Sequence, residues 1–475
     1  MKRFLYSIVL TGIVYTESCK VPASTRIAET AMELPAAFPG STDTGVVAPP
    51  SWKSFFTDIK LSSLIDTALR YNQDLLSAQQ RIQMAQAELQ AAKGSLLPVI
   101  SGGVTSSLRK FGLYTMDGAG NIVTEITPGK LIPINLPDYF AGLQTTWEAD
   151  IWGKLKSRKQ AAAARVMAGW EGKHLLTTQL VSSVAAGYYE IKATAEALRI
   201  VDENIVLQER ALELVKIQKD AAASNELAVQ QFESQLLFLR SFRLELVQQA
   251  TQLENALHLI TGKLPQPLQK DSSFFSAVLP AMAVTGVPAS LLQYRPDIRQ
   301  AEWNLLASKA ELQAARAAFY PSLNITGSLG FQAFRPDLLV RTPESVAYGL
   351  IGGLTAPLVN RSAIKANFSK ADAAQLDAYY QYQKSILNAY VEVYNEMLRG
   401  KTLAEAIALK RKETEVLTTA VDVAETLFRA GRASYLEVLL TRQQALQARL
   451  ALVELRKKQL LTTIGLYKAV GGGWQ

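Results

Sequence analysis

The chain has 475 residues with a formal net charge of +8, and its two His and single Cys exclude a disulfide framework and a Cys/His metal centre. Lys and Arg alternate with Asp and Glu, so no basic arm of the nucleic-acid-binding type forms. Beyond the amino terminus no apolar run is long enough to span a membrane as a helix, which leaves open a β-barrel with its weaker strand signal.

In chain order, Met1-Lys2-Arg3 and the apolar stretch Phe4 to Tyr15 read as a secretion signal over 1–18. The signal ends at Cys19, the sole cysteine, which its position marks as the acylated first residue of a lipoprotein. Thr16 and Glu17 depart from the usual lipobox, and the alternative is a free Cys in an ordinary signal. Residues 19–50, rich in Pro, Ala, Ser and Thr, predict an extended tether.

All 18 prolines lie at or before Pro357 and none falls between Pro137 and Pro265, so two long stretches permit uninterrupted helices. Long helices are predicted over 156–221 and 363–429, roughly 100 Å each at 1.5 Å per residue. Shorter ones are predicted over 61–97, 224–261, 288–319 and 434–469. Leu236, Leu239, Arg243, Leu246, Ala250, Leu253 and Leu257 alternate spacings of three and four, as do Leu436, Leu439, Gln443, Leu446, Leu450 and Val453. These seams predict coiled-coil packing rather than chemistry.

The chain reads as a duplication. Residues 87–98 match 310–321 at an offset of 223, and Ala223-Ser224 matches Ala433-Ser434 at an offset of 210. The predicted repeats cover 51–285 and 286–475, each with two alternating strands, about 99–115 and 138–152, then 321–335 and 344–358. Leu323, Ile325, Leu329 and Phe331 oppose Asn324, Thr326 and Ser328, and Leu143, Trp147 and Ala149 oppose Gln144, Thr146 and Glu148. Two separated hairpins between long helices have no obvious second sheet, so lipid-facing and lumen-facing sides fit better than a soluble sandwich. Tyr139, Phe140, Trp152, Phe319, Tyr320 and Phe334 suit interfacial girdles. The expected fold class is mainly α with a membrane β part. Two chains would give eight strands and a filled interior, whereas three give a twelve-stranded barrel with a pore, continued by a long α-helical barrel.

The opening Trp52-Lys-Ser-Phe-Phe-Thr-Asp-Ile-Lys-Leu61, Asp150-Ile-Trp-Gly-Lys154, Tyr294-Arg-Pro-Asp-Ile-Arg-Gln-Ala-Glu302 running on through 310–322, and Gly471-Gly-Gly-Trp474 carry a family resemblance. Over about residues 50 to 475 the chain resembles the outer membrane factor (TolC-like) family, in its lipoprotein branch of efflux channels. The resemblance implies a trimeric outer-membrane conduit that receives substrates from an inner-membrane pump, proton-driven, through a periplasmic adaptor. It also implies a periplasmic gate at Phe428, Glu437 and Leu440, where Glu437 matches an acidic ring and Leu440 departs from a second acidic position. Adaptor contact is implied at two tips, Ala222, Ala223, Ser224 and Asn225 in the first copy, and Arg429, Gly431, Ala433, Ser434 and Tyr435 in the second. Gly431 suits the left-handed residue of a sharp turn, and Asn225 is its expected counterpart in the first copy.

No Gly-rich phosphate loop is present, so the chain is not expected to be an enzyme or to need a cofactor or metal. His174 and His258 stand alone, and Asp202-Glu203 reads as a solvated face. The rival readings are a channel of a type I protein secretion system and a non-membrane coiled-coil scaffold.

Overall fold

The computed structural model describes residues 22–25, 35, 49–266, 274–275, 294–356 and 361–474. The expected signal, Cys19 and most of the tether lie outside these residues. The elements are α1 (Trp52–Phe55), α2 (Ile59–Tyr71), α3 (Gln73–Gly94), β1 (Val99–Lys110), α4 (Met116–Val123), β2 (Glu125–Thr127), β3 (Lys130–Leu131), β4 (Asn135–Ala149), α5 (Lys154–Asp220) and α6 (Glu226–Ile260). They continue with α7 (Pro296–Ala317), β5 (Ser322–Ala333), β6 (Val346–Thr355), α8 (Ser362–Arg429) and α9 (Tyr435–Ala469).

Five elements of the first half, α3, β1, β4, α5 and α6, recur in the same order in the second as α7, β5, β6, α8 and α9. α3 and β1 recur as α7 and β5 at an offset of 223, while the end of α5 and the whole of α6 recur in α8 and α9 at an offset of 209. The second value corrects the expected 210. Asn225 aligns with Ser434 because both cap a helix: Asn225 accepts from the Ala228 amide at 2.9 Å, and Ser434 from the Glu437 amide at 3.3 Å. Capping chemistry fixes the register here, not the Ala-Ser identity.

Helices α5 and α8 run 67 and 68 residues, as the proline-free stretches predict. The single helix expected over 61–97 is two. Asn72 adopts an extended conformation, its side chain accepts from the Leu75 amide at 3.0 Å, and its Nδ2 donates to the Ile260 carbonyl at 2.9 Å. A capping side chain has broken the helix and tied the break to the end of α6.

The described residues divide into two compact units. One, built from 83–166 and 303–380 with 22–25, holds an antiparallel sheet in the order β1-β4-β5-β6. β1 stops at Lys110 rather than near 115, because Thr115 folds back on the Gly112 carbonyl and caps α4 through the Gly118 amide. A Cβ on Gly118 would fall 2.0 Å from the Gly112 oxygen, so only glycine permits this turn. The strand expected to 115 is thus followed by a short helix and the β2–β3 hairpin, elements that the strand alternation does not predict.

The other unit comprises the described residues among 30–82, 167–302 and 381–475. Its core joins Phe55, Phe56, Leu61 and Ile65 to Val181, Val184, Leu257, Val453, Leu460, Ile464 and Tyr467. Tyr467 stacks on Phe55 at 4.2 Å and donates to the Pro50 carbonyl at 2.9 Å. The closing glycines fit against that ring, since a Cβ on Gly472 would lie 2.4 Å from it. The heptad seam supplies much of this core, with Leu239, Leu257 and Leu446 buried.

Candidate functional site

The sheet has two unlike faces. Pairing of Gly102 with Leu143, of Leu143 with Leu329 and of Leu329 with Tyr348 places Ile100, Val104, Leu108, Leu143, Trp147, Ile325, Leu329, Phe331, Tyr348, Leu350 and Leu354 on one side. That side is uncovered in the single chain: Val104 is 81% exposed, Leu350 78% and Tyr348 84%. The opposite face carries Ser101, Thr105, Gln144, Thr146, Glu148, Asn324, Thr326 and Ser328. Among the described residues both outer strands, β1 and β6, are paired on one side only.

Of the aromatics expected to form a girdle, Trp152 and Tyr320 stack at 4.8 Å, and Trp152 donates from Nε1 to the Pro321 carbonyl at 2.7 Å. Trp147, missed as a girdle residue, similarly donates to the Leu96 carbonyl at 3.0 Å. Anchored indole N–H groups at the helix-side ends of strands match the amphipathic placement of Trp at a membrane interface. Two expectations are corrected. Phe319 is buried against Phe368 and Leu312, because the chain has already turned back onto α8 there. Phe140 lies on the polar face, its ring against the facing pair Gly142 and Gly330, whose missing side chains leave the gap it fills.

Both helical tips end in one motif. Ala223 donates to the Gln218 carbonyl and Ala222 to that of Lys219, just as Arg432 donates to Leu427 and Gly431 to Phe428. The left-handed residue is Gly431 (φ 72°) at one tip and Ala222 (φ 58°) at the other. Asn225, expected to supply the turn, has φ −118° and is the N-cap, so the strain falls on an alanine instead.

Glu437 is exposed, and its carboxylate closes a capping box, accepting from the Ser434 amide at 2.6 Å and the Ser434 hydroxyl at 3.2 Å. Leu440, one turn on, is also exposed, and Phe428 is half-buried. Arg429 reaches Glu425 at 3.4 Å, while Ala433 sits in the turn between α8 and α9. Tyr435 packs against the cluster of Leu212, Val215, Ala228 and Phe232, which ties the second tip to the first.

Above the tips, Arg442 binds the Glu425 carboxylate through Nε at 3.0 Å and through Nη2 at 2.5 Å, and its Nη1 donates to the Leu207 carbonyl at 3.4 Å. Seven residues on, Arg449 pairs with Glu203 at 3.0 Å. Beside these links lies a cavity of about 310 Å³ with a mixed lining, polar at Asn204, Gln208, Gln235, Asp422 and Gln443 and apolar at Leu239, Leu439 and Leu446. The pair Asp202-Glu203 is exposed, as expected, and its carboxylates form surface ion pairs: Asp202 binds Arg243 at 2.6 Å and Glu203 binds Arg199 and Arg449.

The Tyr294-Arg-Pro-Asp motif is a buried charge knot. Arg295, 7% exposed, donates to Asp297, to Glu392 and to the Ala469 carbonyl. Burial works against the guanidinium, yet Asp297 and Glu392 hold its pKa above the ordinary value. His174 stacks on Trp474 at 4.5 Å, and His258 meets the Gln266 carbonyl through Nε2 at 2.7 Å. Among the described residues no group of three or more metal-capable side chains occurs, and no helix is long and apolar enough to cross a membrane.

The family described as outer membrane efflux protein matches residues 64–263 and 287–472. The chain is 30% identical over 453 residues to the pyoverdine export outer membrane protein OpmQ of Pseudomonas aeruginosa, covering 92% of this chain and 94% of that one. It is 28% identical over 428 residues to the cation efflux system protein CusC of Escherichia coli, covering 89% and 88%. In fold it resembles a solved membrane protein from Pseudomonas aeruginosa, with a TM-score of 0.82, 23% identity, and coverage of 95% and 99%. The family match over most of the chain, on a fold that is mainly α with a four-stranded membrane β part, gives the conclusion that this chain belongs to the outer membrane efflux protein family, whose members are efflux channels and not enzymes.

Proposed function

We propose that three copies close their sheets edge to edge into a twelve-stranded barrel in the outer membrane, and that the helices continue it as a periplasmic tunnel. The observation that carries this reading is the exposed apolar face of the sheet, with polar residues opposite and two half-paired edges. A soluble chain does not leave such a face in water, and open strand edges in lipid carry unsatisfied backbone groups. Closure on neighbouring copies satisfies both demands. Eight strands would be filled by their own side chains, whereas twelve leave a lumen.

The chain offers no driving force of its own, so a proton-driven inner-membrane pump supplies it, through a periplasmic adaptor. The adaptor docks on the tips at Ala222, Ala223, Ser224 and Asn225, and at Arg429, Gly431, Ala433, Ser434 and Tyr435. The resting gate is formed by Phe428, Glu437 and Leu440, with Glu437 as an acidic ring that favours cations. Acylation of Cys19 adds a lipid anchor. The cargo is small molecules: the relatives are named for pyoverdine export and cation efflux, which supports this over protein secretion. Purified protein reconstituted into a planar bilayer tests the central step. Stepwise conductance is expected, and membrane-inserted protein that stays without conductance even when the gate is widened by Phe428→Ala with Leu440→Ala would refute the conduit. Lipid labelling of the wild type, lost in Cys19→Ala, tests the anchor; unchanged labelling would refute it.

A further inference from the structure

A cavity of about 710 Å³ lies at the loop end of the sheet, and Arg109 on β1, Asp138 on β4 and Gln332 on β5 reach it from the polar face, while Pro137, Ala333 and Val346 from the other face complete its sheet-derived walls. The two outer loops add apolar walls, Phe111 after β1 and Phe334 and Leu338 after β5. Volume and mixed lining both fall in the range of small-molecule sites.

The polar groups there have spare donors. Arg109 and Arg341 both line the cavity, and neither forms an ion pair with a carboxylate among the described residues. The Arg109 guanidinium sits over the Phe111 ring at 5.6 Å, which orients it without neutralising its charge. Ser345, also lining the cavity, is 4% exposed, and its hydroxyl has no hydrogen-bond partner. Its backbone is held firmly, with its N–H on the Arg341 carbonyl at 2.9 Å and its own carbonyl accepting from the Gln332 amide at 2.8 Å. Two carboxylates share the lining. Asp138 is occupied, both oxygens accepting from Gln332 Nε2 at 2.9 and 3.0 Å, and Glu344 is exposed.

Two unpaired guanidiniums, an unsatisfied buried hydroxyl and flanking aromatic rings match a molecule with an anionic head and an apolar body. We propose that this cavity is an exit subsite for amphipathic organic anions at the outer mouth of the channel, an inference that rests on the conduit function above.

The test uses reconstituted channels with 2-naphthoate added on the outer side, and the neutral 2-naphthylmethanol as its uncharged counterpart. Naphthoate is expected to block the current, with the alcohol at least about tenfold weaker, the difference a single charge-assisted contact supplies. The double substitution Arg109→Gln with Arg341→Gln should weaken naphthoate block about tenfold, whereas Glu344→Gln should strengthen it by removing the exposed like charge. If the double variant fails to assemble, each single Gln variant should still weaken block. Equal block by both probes, or block unchanged by the Arg substitutions, would overturn the subsite while leaving the conduit intact. Absence of any conductance, in the gate-widened Phe428→Ala, Leu440→Ala channel as well, would overturn the conduit and the subsite together.

Discussion

At the first tip a left-handed alanine, Ala222, occupies the place that glycine holds in the second. An L-residue there costs on the order of 1 kcal/mol, which glycine avoids. Ala222→Gly is therefore expected to raise the heat-denaturation midpoint of the assembled protein slightly, and a lowered midpoint would contradict the assignment. Arg295 should be far less tolerant. Arg295→Ala removes the cation between Asp297 and Glu392, which keeps Lys468, and leaves the Ala469 carbonyl without its donor, at a cost of about 1–3 kcal/mol, and Arg295→Lys cannot reproduce the forked contacts. Both should reduce folded protein in the membrane, the Ala variant more, as read by protease resistance. Asp58 gives a pH signature. Partial burial pushes its pKa up, but the Tyr188 hydroxyl, the Leu61 and Lys60 amides and Lys192 together hold it below the ordinary value. Its charged form thus stabilises the fold fully above the unfolded pKa of about 3.9, and that contribution is lost as pH falls through the lower folded value. Asp58→Asn should lower the midpoint at pH 7 and lose its effect well below pH 4; an equal deficit at both would contradict this. Of these residues, Gly431 was legible in the sequence because glycine itself signals positive φ. Ala222 was not, because nothing local distinguishes an alanine that a Schellman turn forces into that region.

Among the elements, the capping box separates structure from charge at the second tip. Gln can replace Glu in the box, so Glu437→Gln should leave the helix cap intact while removing the proposed acidic ring, reducing cation selectivity in bilayers. Ala at the same position removes cap and charge together, at about 1 kcal/mol. An unchanged reversal potential with Gln would leave Glu437 as a capping residue only. In the lower part of α9 the ion pairs of Arg442 with α8 and Arg449 with α5 border a cavity of mixed lining and add to the apolar contacts of Tyr435, Leu439 and Leu446, whereas the upper part, with Val453, Leu460, Ile464 and Tyr467, packs in the main apolar core. Polar ties in reach of water separate at less cost than an apolar seam. Arg442→Ala should therefore raise resting conductance, and a closed, unaltered channel would count against a mobile lower half. Helix lengths and seams were readable because prolines are absent and the apolar period is regular. The break at Asn72 was not, since its cause is a hydrogen bond to Ile260, remote in sequence.

For the whole molecule, alternation in the strands made two-faced sheets legible, and the repeat made the order of elements legible. The loop from Phe111 to Ile134 was opaque, because its helix is only eight residues long and the turn that starts it depends on a single glycine contact. The outer cavity was equally hidden, as its lining gathers residues from both halves of the duplication. What remains is the assembly, which the uncovered face and half-paired edges demand. The most direct measurement is the native mass of the protein extracted by detergent from the outer-membrane fraction. A heat-modifiable assembly of three chains is the expected result. A monomer or dimer released by buffer alone would contradict the account at its centre, since the apolar face would then have no lipid to meet.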